Sequence, residues 1–106
     1  MELDSAAAAR AFGAGYFNLI WRGDDGSLVL SADRWRLDRL SEDAFEFQAQ
    51  DPAAPALSLP RSHVRRVTWD RLPRQRVRSQ LRFHLVSGDL WTFSGTVDEA
   101  ALPAAE

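Results

Sequence analysis

The residues best suited to chemistry in this chain are arginines, and most of them lie in one stretch. Residues 61–82 carry eight of the thirteen arginines and one carboxylate, a net charge of +7, whereas residues 1–60 carry −5 and residues 83–106 carry −4. Guanidinium groups fit carboxylate and phosphate oxygens, and a basic patch attracts anionic surfaces. The candidate contacts for an anionic partner are Arg65, Arg66, Arg71, Arg74, Arg76, Arg78 and Arg82.

Two interpretations of this basic segment stay open. In the first, the arginines bind a protein partner, an anionic lipid or membrane surface, or a nucleic acid. In the second, they form a solvated surface balanced by acids across the sheet, where each exposed ion pair contributes little. Those acids are Asp24, Asp25, Glu42, Asp43 and Glu46. Nucleic acid is the least favoured partner, because the rest of the chain is acidic and lacks both RNA-reader signatures and a helix-turn-helix pattern.

The other reactive side chains form no recognisable catalytic or metal site. His63 and His84 lack the spacing of zinc-binding motifs and are predicted to be structural. The carboxylate pairs at residues 24–25 and 42–43 fall at predicted turns, which do not provide the burial that a general acid or base needs. The chain has no cysteine, no nucleophilic serine motif and no phosphate-binding glycine loop. We therefore expect a non-catalytic binding protein without a cofactor or metal.

These side chains must be positioned by β-structure. Short segments of alternating apolar and polar residues are separated by turn signals, which is typical of a mainly β sandwich or barrel with about seven strands. After Pro60, a turn or one helical twist is expected to lead into a strand that contains Val64, Val67 and Trp69. The other expected strands are Tyr16–Trp21, Ser27–Ser31, Arg34–Leu40, Phe45–Gln48, Leu57–Leu59, Leu81–Leu85 and Leu90–Ser94, with a bend at Ala32 and Asp33.

Short helices are expected near both ends of the chain. Ser5 is the predicted N-cap of an alanine-rich helix that Gly13 and Gly15 end. A capping box places the start of another helix near Val97, and Pro103 keeps that helix short.

The length and composition predict a single domain over residues 1–106, with a core at about 16–95, a helical lead-in at 1–14 and a terminal helix and tail at 97–106. No segment is long enough for a membrane span or has the pattern of a secretory leader, so a cytoplasmic location is expected. The aromatic residues predicted to form the core are Trp21, Trp35, Trp69, Trp91, Phe17, Phe45, Phe47, Phe83 and Phe93.

Three segments occur in an order that resembles GRAM domains and bacterial pleckstrin-homology-like (PH-like) domains. They are GSLVLSADRWRL, ALSLPRSHVRRVTW and LRFHLVSGDLWTF, and together they cover about residues 16–95. The resemblance implies a strongly bent antiparallel sheet of seven strands, or a partly open barrel, with one end plugged by a C-terminal helix. It also implies that a basic strand and loop region is where lipid headgroups bind.

The predicted C-terminal helix, residues 97–102, is too short for this family. We therefore expect the end of the barrel to be open, or to be covered by the N-terminal helix or by a second copy of the chain. An exposed apolar surface favours association. Self-association into a dimer is thus expected alongside binding to a protein partner.

Overall fold

The computed structural model describes residues 1–71 and 79–97, and in them the chain is mainly β, as the sequence predicts. The elements are β1 (Glu2–Leu3), α1 (Ser5–Phe12), β2 (Phe17–Arg22), β3 (Leu28–Leu40), β4 (Ala44–Ala49), β5 (Leu57–Pro60), a 3₁₀ turn (Arg61–His63), β6 (Val64–Arg71), β7 (Ser79–Leu85) and β8 (Leu90–Gly95). Apart from Val97, the C-terminal helix predicted at residues 97–102 lies outside the described residues. None of the helices in the described ranges has the length and hydropathy needed to cross a membrane.

The eight strands of the described residues form one antiparallel sheet with the order β1-β6-β7-β8-β2-β3-β4-β5. Strands β2 to β5 form one meander and β6 to β8 form another, and the pairing of β2 with β8 joins them. The two edges of the sheet are β1 and β5, so hydrogen bonds do not close it into a barrel. The short strand β1, which pairs with β6, was not predicted from the sequence.

The sheet curves so that its two meanders share one core. Strands β4 and β7 are four positions apart in the strand order, and a flat sheet would separate them by roughly 19 Å at about 4.8 Å per strand. The rings of Phe45 on β4 and Phe83 on β7 nevertheless lie 5.0 Å apart, edge to face. Phe47 and Phe93 stack at 4.7 Å across the same interior. The inner face of the curved sheet is therefore an aromatic core.

The N-terminal helix packs into this core. Ala7, Ala8, Ala11 and Phe12 are buried, and the small alanine side chains allow the helix to approach the sheet closely. The Phe12 ring lies between 5.0 and 6.0 Å from the rings of Phe17, Phe47, Phe83 and Phe93. The N-terminal helix, one of the two coverings considered from the sequence, thus supplies part of the core.

The cap of this helix differs from the prediction by one residue. The N-cap is Asp4 and not Ser5: the Oδ1 atom of Asp4 accepts a hydrogen bond of 2.7 Å from the backbone N–H of Ala7. This bond satisfies one of the free donors in the first turn. At the other end, Gly13 is the C-cap with a φ of 56°, a left-handed conformation that favours glycine.

The two strands predicted on either side of a bend at Ala32 and Asp33 are one continuous strand, β3, so their division into two strands is wrong. The ladder with β2 contains a bulge at this point, where Leu19 of β2 is opposed by residues 31–33 of β3. The extra residues bend the strand locally without ending it.

The aromatic residues mostly lie where the sequence predicts. The five phenylalanines assigned to the core are buried, and so are Trp35 and Trp91, while Trp69 is partly buried against them. The assignment of Trp21 to the core is wrong, because its side chain is 40% exposed. It lies on the outer half of β2, which extends beyond the core toward the hairpin turn.

Replacing Phe12 by alanine removes the ring through which α1 contacts the core. We expect Phe12→Ala to lower the free energy of unfolding by about 3–5 kcal/mol, the usual cost of deleting a buried phenylalanine ring. Urea denaturation followed by tryptophan fluorescence measures this change. The matched control is Arg10→Ala, at an exposed position of the same helix, which should change the free energy by less than about 0.5 kcal/mol. Equal effects of the two substitutions would contradict the core role of Phe12.

Candidate binding site

The structure describes four of the seven predicted arginines. Arg65, Arg66 and Arg71 lie on β6 and are exposed, and Arg82 lies on β7 and is half-buried. The other three, Arg74, Arg76 and Arg78, lie outside the described residues. Strand β6 therefore carries three of the four described candidate arginines and exposes all three.

Arg82 is compensated by its neighbours. Its Nη1 atom lies 3.7 Å from Asp70 Oδ2, and its Nη2 atom donates a hydrogen bond of 2.8 Å to Gln80 Oε1. The balancing acids predicted from elsewhere in the sheet do not supply this partner. Glu46, for example, pairs at 2.7 Å with Arg39, which lies outside the basic segment. Arg82 thus belongs to a local ion pair on the segment itself.

Arg65 and Arg66 both face solvent because β6 contains a bulge. Val64 pairs with Leu85 and Arg66 pairs with His84, so Arg65 is an extra residue in the ladder. In a regular strand, consecutive side chains would point to opposite faces. Neither arginine side chain has a hydrogen-bond or ion-pair partner within residues 1–71 and 79–97.

His84 lies directly across the ladder from Arg66. Its Nε2 atom is 3.0 Å from Thr68 Oγ1. Burial is the largest cause that lowers the pKa of His84, and the neighbouring arginines, Arg66 first among them, lower this pKa further, whereas Glu2 raises it. Burial first, and then the positive local potential, therefore favour the neutral form of the imidazole.

Two clefts flank Arg65. The first has a volume of about 370 Å³ and lies at the turns of the β2–β3 and β7–β8 hairpins, where Arg22, Arg65 and His84 face Asp24 and Asp89. The Asp89 carboxylate already accepts a hydrogen bond of 3.3 Å from the indole N–H of Trp21 and one of 3.1 Å from the backbone N–H of Asp24. The acidic side of this cleft is thus partly engaged, while the side chains of Arg22 and Arg65 have no hydrogen-bond or ion-pair partner among the residues that the structure describes.

The second cleft has a volume of about 530 Å³ and lies between the N-terminal segment and β6. Its basic residues are Arg61, Arg65 and Arg66, and its acids are Glu2 and Asp4. Asp4 is engaged as the N-cap of α1. Arg65 therefore contributes to both clefts and is the centre of the basic surface.

We call the surface formed by Arg22, Arg65, Arg66 and His84 the basic ridge. The sequence singled out Arg65 and Arg66 for this site but not Arg22, and it assigned His84 a structural role. Arg22 comes close because the pairing of β2 with β8, and of β8 with β7, sets Arg22, Leu90 and His84 in one row. A pairing between strands so distant in the chain leaves no local signal, so sequence reasoning missed this residue.

The basic ridge offers positive charge and hydrogen-bond donors to a ligand. Guanidinium groups donate and do not accept, whereas a neutral imidazole adds one acceptor. Within the part of the chain that the structure describes, no group of three His, Asp or Glu side chains is placed to hold a metal ion.

The chain matches no protein-family model, and comparison with curated proteins and with solved structures likewise finds no significant match. The resemblance to PH-like and GRAM domains therefore stays a prediction. The function has to be argued from the basic ridge and the surfaces around it.

Removing a positive charge beside His84 should raise the pKa of its imidazole. We expect Arg66→Gln to move the NMR titration midpoint of the His84 ring protons upward, because the protonated ring loses a repulsive neighbour. Arg39→Gln removes the same charge from an ion pair with Glu46 on β3 and β4 and should leave the midpoint unchanged. A midpoint that does not move in Arg66→Gln would show that these two side chains do not interact.

The lowered pKa of His84 also makes the stability of the protein depend on pH. Because the folded-state pKa lies below the unfolded value of about 6.5, the unfolded chain binds more protons between these two values. The free energy of unfolding should therefore fall as the pH drops through 6.5 toward the folded-state pKa. Chemical denaturation at a series of pH values should show a smaller loss in His84→Gln. Parallel pH profiles for the wild type and this variant would contradict the assignment.

Proposed function

We propose that this protein is a cytoplasmic, non-catalytic binding module. Its basic ridge docks a partner protein by binding carboxylates on the partner's surface. The observation that carries the proposal is the arrangement of Arg65 and Arg66. Both are exposed at a bulge, and neither is paired within the described residues. Two adjacent guanidinium groups that have no counter-ion in the described part of the chain suit carboxylates, to which they donate charge-assisted hydrogen bonds.

A PH-like fold is part of this proposal. It is supported by the strand order, in which a meander of four strands and a meander of three strands pair side by side in one curved sheet. Without the two-residue strand β1, the number of strands agrees with the seven that the family resemblance implies. The helix packed in the described core is N-terminal, however, which departs from the family pattern.

A protein partner fits the surface better than an anionic membrane does. The β2–β3 turn beside the ridge carries Asp24 and Asp25, and hydrogen bonds from Ser27, the side-chain hydroxyl first, lower the pKa of Asp25 and keep it ionised. These negative charges repel a uniformly anionic bilayer. A partner protein can instead place carboxylates opposite the arginines and donors opposite the acidic turn.

Fluorescence anisotropy with a labelled peptide of alternating glutamate and glycine tests the ridge as a carboxylate site. We expect saturable binding that weakens as salt is added. The double variant Arg65→Gln/Arg66→Gln should weaken binding about tenfold or more, because each hydrogen bond to a charged group contributes about 1.5–3 kcal/mol. Arg36→Gln/Arg39→Gln is the matched control: it removes the same charge from arginines that already pair with Asp38 and Glu46, so the wild-type affinity should persist.

If both double variants lose peptide binding equally, the net charge of the protein explains the binding, and a specific site on the basic ridge is contradicted.

Flotation with phosphatidylserine-containing vesicles addresses the lipid alternative, and we expect the protein to remain with the soluble fraction. If the protein instead floats with the vesicles, and replacing Arg74, Arg76 and Arg78 by alanine abolishes flotation, an anionic lipid becomes the better-supported ligand.

A further inference from the structure

Strand β3 has an exposed apolar edge that adjoins the basic ridge at one end, where Leu28 pairs with Arg22. Leu28, Val29 and Leu30 are 68%, 58% and 72% exposed. Along these residues β3 pairs with β2, but its pairing with β4 begins only at Trp35. One side of residues 28–30 therefore has no partner strand within the described residues.

The direction of the free backbone groups follows from the hairpin turn. The N–H of Gly23 donates a hydrogen bond of 2.9 Å to the carbonyl oxygen of Ser27. Hydrogen-bonded pairs alternate along an antiparallel ladder, so Val29 is the next residue of β3 that bonds to β2. Leu28 and Leu30 consequently direct their N–H and C=O groups away from β2 and toward the free edge.

We infer that this edge pairs with the same edge of a second copy of the chain, antiparallel and around a two-fold axis at Val29. This register sets Leu28 of each copy opposite Leu30 of the other, so that every outward N–H and C=O group of the leucines is hydrogen-bonded. Shifting the register of this strand pair in one direction would set Gly26 of the turn opposite a leucine, and shifting it in the other direction would set Ala32 of the bulge there. Either shift would lose part of the hydrogen-bonded ladder.

The side chains at this edge also suit a second copy. On one face of the sheet, Leu30 adjoins Ile20, which is 38% exposed, and on the other face Val29 adjoins Trp21, which is 40% exposed. Pairing across the axis therefore buries apolar surface on both faces of the joined sheet.

Charge favours the antiparallel arrangement. The turn that follows β2 carries Asp24 and Asp25. An antiparallel pair keeps the two acidic turns at opposite ends and brings each toward the end of the other strand that contains Asp33 and Arg34, whose formal charges cancel. A parallel pair would set the two acidic turns side by side, where like charges repel.

The outer edges of the described sheet are better protected than this segment. Strand β1 has two residues, and strand β5 has four and ends at Pro60, which has no N–H to donate. Residues 28–30 contain neither a proline nor a charged residue. Residues 28–30 themselves thus carry no proline or charge that would prevent strand pairing, and the nearest bulge begins only at residue 31.

Disulfide cross-linking tests the register, because the chain has no cysteine of its own. Val29→Cys should form a covalent dimer under mild oxidation, since the axis brings the two Cα atoms to about 4.5 Å. Leu28→Cys is the matched control, because residue 28 of each copy lies opposite residue 30 of the other copy. The two residues 28 are therefore too far apart to form a disulfide. Val86→Cys, 63% exposed in the β7–β8 turn, controls for random collision. Equal cross-linking of the three variants would overturn the proposal.

Sedimentation supplies an independent measurement. The wild type should show a monomer–dimer equilibrium, and Leu30→Pro should raise the dimer dissociation constant about tenfold or more, because proline removes an outward N–H that bonds only the second copy. If circular dichroism shows that Leu30→Pro does not fold, Leu30→Lys blocks the same edge with a charge. A wild type that stays monomeric at every concentration, or a dimer that the folded edge variant leaves intact, would overturn the proposal.

Discussion

Burial of an aromatic core beneath an alanine-rich helix is the constraint on which the rest of this fold depends. A curved antiparallel sheet has an apolar inner face that must be removed from water. Helix α1 covers part of that face: its alanines bring the helix backbone close to the sheet, and Phe12 contacts rings from both meanders. The curvature of the sheet, the joining of its two meanders and the position of the N-terminal helix are consequences of the same burial.

Because the inner face holds most of the apolar side chains, the outer face and the hairpin edges set the binding properties. Bulges determine which side chains are exposed there, since they interrupt the alternation of side chains between the two faces of a regular strand. The bulge at Arg65 exposes two successive arginines beside His84, and their charge contributes to the lowered pKa of that histidine. The bulge at residues 31–33 separates the free edge of β3 from the part that pairs with β4. The chain, with a formal net charge of −2, thus carries a basic ridge and, next to Arg22 of that ridge, a neutral edge.

Much of the fold follows from local patterns that the sequence displays directly. The alternation of Leu81, Phe83 and Leu85, followed by a glycine turn, predicts the β7–β8 hairpin and the residues that enter the core, because strand side chains have a period of two. The twist after Pro60 is likewise present as a 3₁₀ turn that leads into β6. For the candidate site, the segment's composition identified Arg65 and Arg66 as exposed basic residues.

The sequence by itself therefore determined the class of fold, most of the strands and the segment that carries the positive charge, because turn residues and alternation act over a few residues. Only the tertiary structure decided that Arg22 joins the ridge, that Trp21 is exposed and that residues 28–30 form a free edge. These features depend on which strands pair across long stretches of chain and on where bulges shift the register. No local pattern specifies a pairing that sets residue 22 in one row with residue 84.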